Sequence, residues 1–123
     1  MYASGLIPVE KSGQIVNRPV KRTFANAAAG GDTTLVAAVT GHGIRVVGVL
    51  FLAGDTATEI TFKSASTAIS AAFTPGANGG AIPNNDHGWF ETARGAALVV
   101  TLGAGSTVGI QVLYIEVPLP PHV

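Results

Sequence analysis

Residues 88–117 (GWFETARGAALVVTLGAGSTVGIQVLYIEV) carry the clearest structural pattern in the chain. Apolar residues recur there at every second position, a period typical of β-strands. The pattern predicts three successive strands with turns at residues 93–95 and 103–106, where glycine supplies the backbone conformations of tight hairpins. In the last strand, one face is expected to carry Val108, Ile110, Val112 and Tyr114, and the opposite face Gln111, Leu113, Ile115 and Val117.

The rest of the chain has the same period, and no segment has the period of a helix. The sequence therefore predicts an all-β protein, a single β-sandwich or jelly-roll-like domain of roughly eight strands. We expect the domain to span residues 19–117, with an extended, irregular N-terminal arm at 1–18 and a Pro-rich tail at 118–123. The remaining strands are predicted at 20–26, 33–40, 44–53, 57–63 and 67–73, followed by a long loop at 74–87.

The segment 44–53 is the most apolar in the chain. A strand that is apolar on both faces lies either in the centre of a sheet or against a partner on its outer side. Strict alternation assigns Ile44, Val46, Leu50 and Leu52 to one face, and Val47, Val49 and Phe51 to the other.

The composition indicates a protein that buries apolar surface against a partner. Of the 123 residues, 47% are hydrophobic and only 11% are charged, whereas about a quarter is usual for a soluble domain. Such a chain has little polar surface for solvation as a monomer, so we expect its apolar faces to be buried either against copies of itself or against another protein. The charge is unevenly spread, at +3 for residues 1–31 and −3 for the remainder. A basic arm of this kind could either lie across a neighbouring acidic body or stay solvated.

Few residues suggest chemistry, and we expect neither an enzyme nor a cofactor. The chain contains no cysteine, which excludes disulfides and thiolate sites. Asp86, His87 and Glu91 form a local set with metal-ligating atoms, but neighbouring strand residues point to opposite faces. Glu91 and Arg94 could pair across a turn or line a subunit contact. No phosphate-binding loop or nucleophile elbow is present.

Nucleic-acid and membrane partners are not expected either. Basic residues cluster between Lys11 and Arg22 with Phe24 as their single aromatic neighbour, whereas nucleic-acid surfaces interleave several aromatics with basic groups. The apolar run at 46–53 is much shorter than a membrane span of about 20 residues. The start of the chain lacks the pattern of a secretory signal, so we expect synthesis in the cytosol. Trp89 and Phe90 could stack on a sugar, although one of the two should lie in the core because adjacent strand residues face opposite ways.

Three motifs carry a family resemblance that covers about residues 44–117. They are EITFKSASTAIS at 59–70, ANGG at 77–80 and the long run at 88–117. Together they resemble small β-sandwich decoration (cement) proteins and related virion proteins of tailed bacteriophages. The resemblance implies a structural protein on the capsid surface of a virion, made in the host cytoplasm, whose partner is the lattice of the major capsid protein. It also implies a homo-oligomer, a dimer or a trimer. It carries no catalytic residues.

Under this interpretation, the N-terminal arm and the surplus apolar face of 44–53 contact the partner. The loop at 75–86 is an alternative contact, and a carbohydrate- or receptor-binding module of a tail or fibre is an alternative function. A coat or scaffold unit that assembles alone is a further alternative. The expected contact residues are Leu6, Ile7, Ile15, Val16, Arg18, Lys21, Arg22, Val47, Val49 and Phe51.

Overall fold

The structure is a computed structural model that describes residues 6–11 and 14–118, with side chains described from Arg18 onward. The described residues form eleven β-strands and no helix, so no helix there is long and apolar enough to cross a membrane. The all-β prediction is confirmed. The strands are β1 Leu6–Lys11, β2 Gln14–Pro19, β3 Lys21–Ala27, β4 Asp32–Val36, β5 His42–Ala53, β6 Ile60–Ser64, β7 Thr67–Ala68, β8 Gly80–Ala81, β9 Phe90–Glu91, β10 Leu98–Leu102 and β11 Val108–Pro118.

The strands from β3 onward form two antiparallel sheets. The large sheet has the order β3-β11-β5-β8, with β9 also paired to β5, and the small sheet has the order β4-β10-β6-β7. The turns expected in 88–117 are present, and Gly95 has a φ of 71°. They do not form hairpins, however, because β9 and β11 lie in the large sheet and β10 lies in the small one. These last three strands therefore alternate between the sheets.

One hydrophobic core joins the two sheets. The small sheet contributes residues such as Phe62, Leu98 and Val100, and the large sheet contributes residues such as Val46 and Val112, all at most 1% exposed. The two predicted faces of the last strand are also confirmed. Val108, Ile110, Val112 and Tyr114 pack in this core, whereas Leu113, Ile115 and Val117 pack in a second cluster.

The predicted alternation along 44–53 is wrong because β5 contains a bulge. Val46 lies opposite Tyr114 and Gly48 lies opposite Leu113, so Val47 is an additional residue in β5. A bulge of this kind changes which alternate residues face the core. Ile44 and Val46 lie in the core before the bulge, and Val49, Phe51 and Ala53 are buried after it, whereas Leu50 and Leu52 point outward.

Gly48 lies next to the bulge, and its lack of a side chain allows Asn84 and Leu113 to approach β5 closely. A Cβ atom at Gly48 would meet Oδ1 of Asn84 and would lie 3.1 Å from Cδ1 of Leu113. Asn84 belongs to the segment at 74–87, which was predicted as a long loop. Instead, the segment runs along β5 through β8 and through the bridge between Asn84 and Gly48.

The N-terminal arm is not irregular in its described part. β1 and β2 form an antiparallel ribbon in which Leu6 lies opposite Pro19 and Lys11 lies opposite Gln14. Both strands of the ribbon contact β11. At the other end of the chain, β11 extends to Pro118, which lies opposite His42, one residue beyond the predicted boundary of the domain. The rest of the Pro-rich tail, 119–123, lies outside the described residues.

Candidate functional site

The outer face of the large sheet carries a group of exposed apolar side chains. Phe24 is 80% exposed, Leu52 56%, Ile82 69% and Leu50 39%. We call these four residues the outer patch. Burial of exposed apolar side chains of this size is the main source of binding energy in most protein–protein contacts.

The strand register makes the outer patch continuous. Gln111 of β11 lies opposite both Phe24 and Leu50, and Gly109 lies opposite both Asn26 and Leu52. A shallow depression of about 370 Å³ separates Phe24 from the two leucines over these two β11 residues. A second depression, of about 200 Å³, joins Leu50 to Ile82. The two depressions have no charged side chain in their lining.

The other end of the same face is covered. Val47, Ile115 and Val117 are at most 3% exposed and form a second hydrophobic cluster, against which Val20 and Leu113 pack. We call these five residues the covered cluster. Both strands of the N-terminal ribbon contact β11. Arg18, at the end of β2, binds the backbone oxygen of Glu116, which lies between Ile115 and Val117. The end of the ribbon therefore lies beside the covered cluster.

Glu116 of β11 binds two residues at the junction between β2 and β3. The Nε of Arg18 donates a hydrogen bond of 2.8 Å to the backbone oxygen of Glu116, and the Nζ of Lys21 lies 2.9 Å from Oε2 of the same residue. The hydrogen bond and the charge of Glu116 raise the pKa of Lys21 above its ordinary value of 10.5. These contacts hold the end of β2 and the start of β3 against β11.

The expected contact residues therefore fall into three groups. Leu6, Ile7, Ile15 and Val16 lie on the ribbon, and their contact role stays a prediction. Arg18 and Lys21 bind Glu116 of their own chain, whereas Arg22 is exposed. The assignment of one surplus outward face to Val47, Val49 and Phe51 is wrong. Val47 belongs to the covered cluster, and the bulge turns Val49 and Phe51 into the core.

An aromatic groove opens on the opposite side of the molecule from β3. It has a volume of about 450 Å³ and lies between the edge of β5 and the segment that follows β6. The rings of Phe62 and Phe90 stack with centroids 4.9 Å apart, and those of Phe51 and Phe73 lie 6.4 Å apart. Trp89 is 48% exposed at this groove, whereas Phe90 packs against the core, which confirms that one of the two adjacent aromatics is internal.

Polar groups in and near this groove already have partners. The hydroxyl of Ser70 accepts a hydrogen bond from the backbone N–H of Phe62 and donates one to the oxygen of Ala71. Glu91 was considered as a partner of Arg94, but it pairs with Arg45 at 2.6 Å between Oε1 and Nε. Asp86, His87 and Glu91 do not form a metal site, since no group of three potential ligands lies together among the described residues.

The outer patch was not predicted from the sequence, for two reasons. Leu50 and Leu52 were assigned to the wrong side because alternation was carried through the bulge, and Gly48 is the local signal that could have indicated it. Phe24 was not expected to be a contact, since it lies in a strand without clean alternation, and Ile82 was not singled out within the loop at 75–86, the alternative contact. A lone apolar residue in either context carries little information about its neighbours.

Comparisons with known proteins identified no relative of this chain. No family model matches the sequence, and no curated protein matches it either. The functional interpretation therefore depends on the surface itself and on the resemblance of the sequence motifs.

Proposed function

We propose that this protein is a structural virion protein that binds and stabilises the outer surface of a tailed-phage capsid. In this proposal, the two sheets form a β-sandwich that positions the outer patch against the lattice of the major capsid protein. The observation that carries the proposal is the exposure of Phe24, Leu50, Leu52 and Ile82 on one sheet face. The resemblance of the motifs at 59–70, 77–80 and 88–117 supplies the class of partner.

The physical argument rests on many weak contacts. A patch of four apolar side chains gives modest affinity by itself, because association costs translational and rotational freedom. A capsid lattice presents the same site many times, and an oligomer that engages several sites at once gains effective concentration without new contacts. Binding to the assembled lattice alone would then stabilise it by mass action. The low fraction of charged residues favours such a role, since a free monomer would have to expose apolar surface to water.

Electron microscopy of labelled virions tests the location. An antibody against the folded protein is applied to purified particles, and the label is expected over the head. Label restricted to the tail or its tip would contradict the capsid proposal and support a tail-associated role. Absence of label from all particles would reject a virion role altogether.

Binding of purified protein to capsids that lack it tests the surface. Replacing Leu50 and Leu52 by serine is expected to weaken binding at least about tenfold, since burying an exposed leucine side chain contributes about 1.5–3 kcal/mol. The matched control is Trp89→Ser, which removes an exposed aromatic from the aromatic groove and is expected to leave binding unchanged. If the control loses binding and the leucine variant does not, the groove is the contact and the outer patch is not.

The aromatic groove favours a second candidate, a carbohydrate- or receptor-binding module of a tail or fibre. Trp89 is exposed at its rim, as stacking on a sugar ring would require. The lining is less suited to this role, because Ser70 contributes its only hydroxyl group and that group is already hydrogen-bonded. Since Trp89 is the single tryptophan of the chain, its fluorescence reports directly on the groove. Titration with bacterial surface glycans is expected to leave the emission unchanged, and a saturable shift would support the second candidate.

A further inference from the structure

The large sheet has one protected edge and one open edge. The edge on the side of β5 is covered by the chain itself, through β8, the Asn84 bridge and β9. On the other side, β3 pairs with β11, and the described residues offer no strand to its second edge. An unpaired strand edge presents a row of N–H and C=O groups on which another strand can pair.

β3 lacks most of the features that keep such an edge from pairing. All seven residues of the strand pair with β11 in one uninterrupted register from Lys21 to Ala27, without a bulge. No proline lies within the strand. Its charged residues, Lys21 and Arg22, are confined to the first two positions, and Lys21 is already bound to Glu116. The middle of the strand is Phe24, the most exposed large apolar residue described.

We propose that β3 pairs with β3 of a second copy of this chain to form a two-fold symmetric dimer. Antiparallel pairing of two seven-residue strands overlaps completely when Phe24 lies opposite Phe24 of the other copy. A two-fold axis through this pair places Arg22 opposite Asn26, Lys21 opposite Ala27 and Thr23 opposite Ala25. No like charges then face each other, and like charges directly opposite would be destabilising.

Other registers fit less well. Moving the axis by one residue slides the partner strand by two, so the outward side chains stay on one side. An axis at Thr23 or Ala25 would pair only five of the seven residues of each strand. An axis at Arg22 would pair only three and would place two arginines opposite each other. An axis at Asn26 would leave Phe24 opposite residue 28, beyond the end of the strand. Complete overlap of the two strands therefore selects Phe24.

Pairing in this register would join the outer patches of the two copies. The axis is perpendicular to the sheet, so both copies turn the same face to the same side. Phe24, Leu50 and Leu52 of each copy would then lie on one continuous sheet, with the two Phe24 side chains adjacent at its centre. The pairing does not rest on the proposed function, because it is a property of the free protein. If the capsid proposal also holds, the dimer would offer a doubled binding surface.

Single cysteines test the register directly, since the chain contains none of its own. Facing residues of an antiparallel pair have Cα atoms about 4.5–5.5 Å apart, which lies within the range of a disulfide. Phe24→Cys is therefore expected to form a disulfide-linked dimer under mild oxidation. Arg22→Cys and Asn26→Cys are each expected to stay unlinked alone and to cross-link when mixed. Leu52→Cys is the control for random collision, because Leu52 lies two strands from the edge.

The proposal requires Phe24→Cys, and the mixture of Arg22→Cys with Asn26→Cys, to cross-link at least about tenfold faster than Leu52→Cys. Similar rates for all variants would overturn it, as would sedimentation of the wild-type protein as a monomer or a trimer. A second variant, Phe24→Asp, is expected to remain folded, because the side chain of Phe24 is largely exposed. It is expected to be monomeric, because the two aspartates would face each other across the dimer axis.

The start of the chain is the rival occupant of this edge. A variant that lacks residues 2–5 addresses it. If this deletion leaves the cross-linking of Phe24→Cys unchanged, the second copy occupies the edge as proposed. If cross-linking appears only after the deletion, the chain covers β3 with its own N-terminal residues and the dimer proposal is wrong.

Discussion

The two halves of the outer face of the large sheet differ in what lies over them. At one end, the buried residues Val47, Ile115 and Val117 of the covered cluster lie beside the end of the N-terminal ribbon. At the other end, Phe24, Leu50 and Leu52 are exposed although they lie on the same strands or on their neighbours. The comparison shows that apolar residues on one sheet face can serve two purposes. One half stabilises the fold, and the other half is available for a partner.

The boundary between the two halves lies at the bulge in β5. Val47 points to the covered cluster, and the next outward residue with a side chain is Leu50. Between them, Gly48 carries no side chain and allows Asn84 and Leu113 to approach closely. The bulge therefore adds an apolar contact to the covered half and determines which leucines form the exposed half.

Deletions in β5 are expected to have the largest effects, and they test the bulge. Deleting Val47 removes the extra residue and keeps Val46 and Val49 in the core, so we expect a folded protein destabilised by about 2–4 kcal/mol from the lost buried side chain. Deleting Leu50 instead moves Phe51 to the outer face, and we expect loss of cooperative unfolding. Denaturant titration followed by circular dichroism distinguishes the two. Equal stability of both variants would show that the register is not fixed as described.

Truncation in the two halves of the face gives the next largest difference. Ile115→Ala is expected to cost about 2–5 kcal/mol, because the side chain is fully buried and its removal leaves a cavity. Leu52→Ala is the matched control, and we expect a change within about 0.5 kcal/mol at this exposed position. Both are measured as shifts of the free energy of unfolding in denaturant. A large cost for Leu52→Ala would mean that the exposed half is needed for folding.

The ion pair at the ribbon end of the face should contribute less. Lys21→Met is expected to lower stability at neutral pH by about 0.5 kcal/mol or less, since the lysine side chain is 46% exposed and surface pairs are screened. The pKa of Lys21 is raised in the folded state. Its contribution is therefore complete below the unfolded value of 10.5 and is lost as the pH rises through the folded value.

The measurement is the difference in unfolding free energy between Lys21→Met and the wild type, taken at pH 7 and at pH 11. The difference should be smaller at the higher pH. Lys63→Met serves as a control for the general loss of a positive charge. A difference that grows with pH would contradict the ion pair with Glu116.

Making the exposed half polar should likewise have little effect on stability. Leu50→Ser combined with Leu52→Ser should change the free energy of unfolding by less than about 1 kcal/mol, because neither side chain is buried. The same variant should bind less of a hydrophobic dye and remain soluble at higher concentration, since less apolar surface is exposed. Unchanged dye binding would place the exposed apolar surface elsewhere, with the aromatic groove as the next place to examine.

Much of the fold could be predicted from local patterns. The alternation in β11 assigned the right residues to the core, because this strand pairs with β3 without an extra residue. The site could not be predicted in the same way. Its residues come from β3, β5 and the segment at 74–87, and only the pairing of distant strands brings them together. The ribbon formed by β1 and β2 was missed because Pro8 and Gly13 suggested irregular backbone.

The sequence alone determined that the chain is all-β, that it has few charges for its apolar content, and that its strongest strands lie at its C-terminal end. These properties follow from side-chain period and composition, which act locally. Only the tertiary structure decided that the last three strands alternate between two sheets, that Val47 is an additional residue in β5, and that half of one face stays exposed. The physical reason is that strand pairing is non-local. A single extra residue, visible only against the partner strand, reverses which side chains meet the core and which meet water.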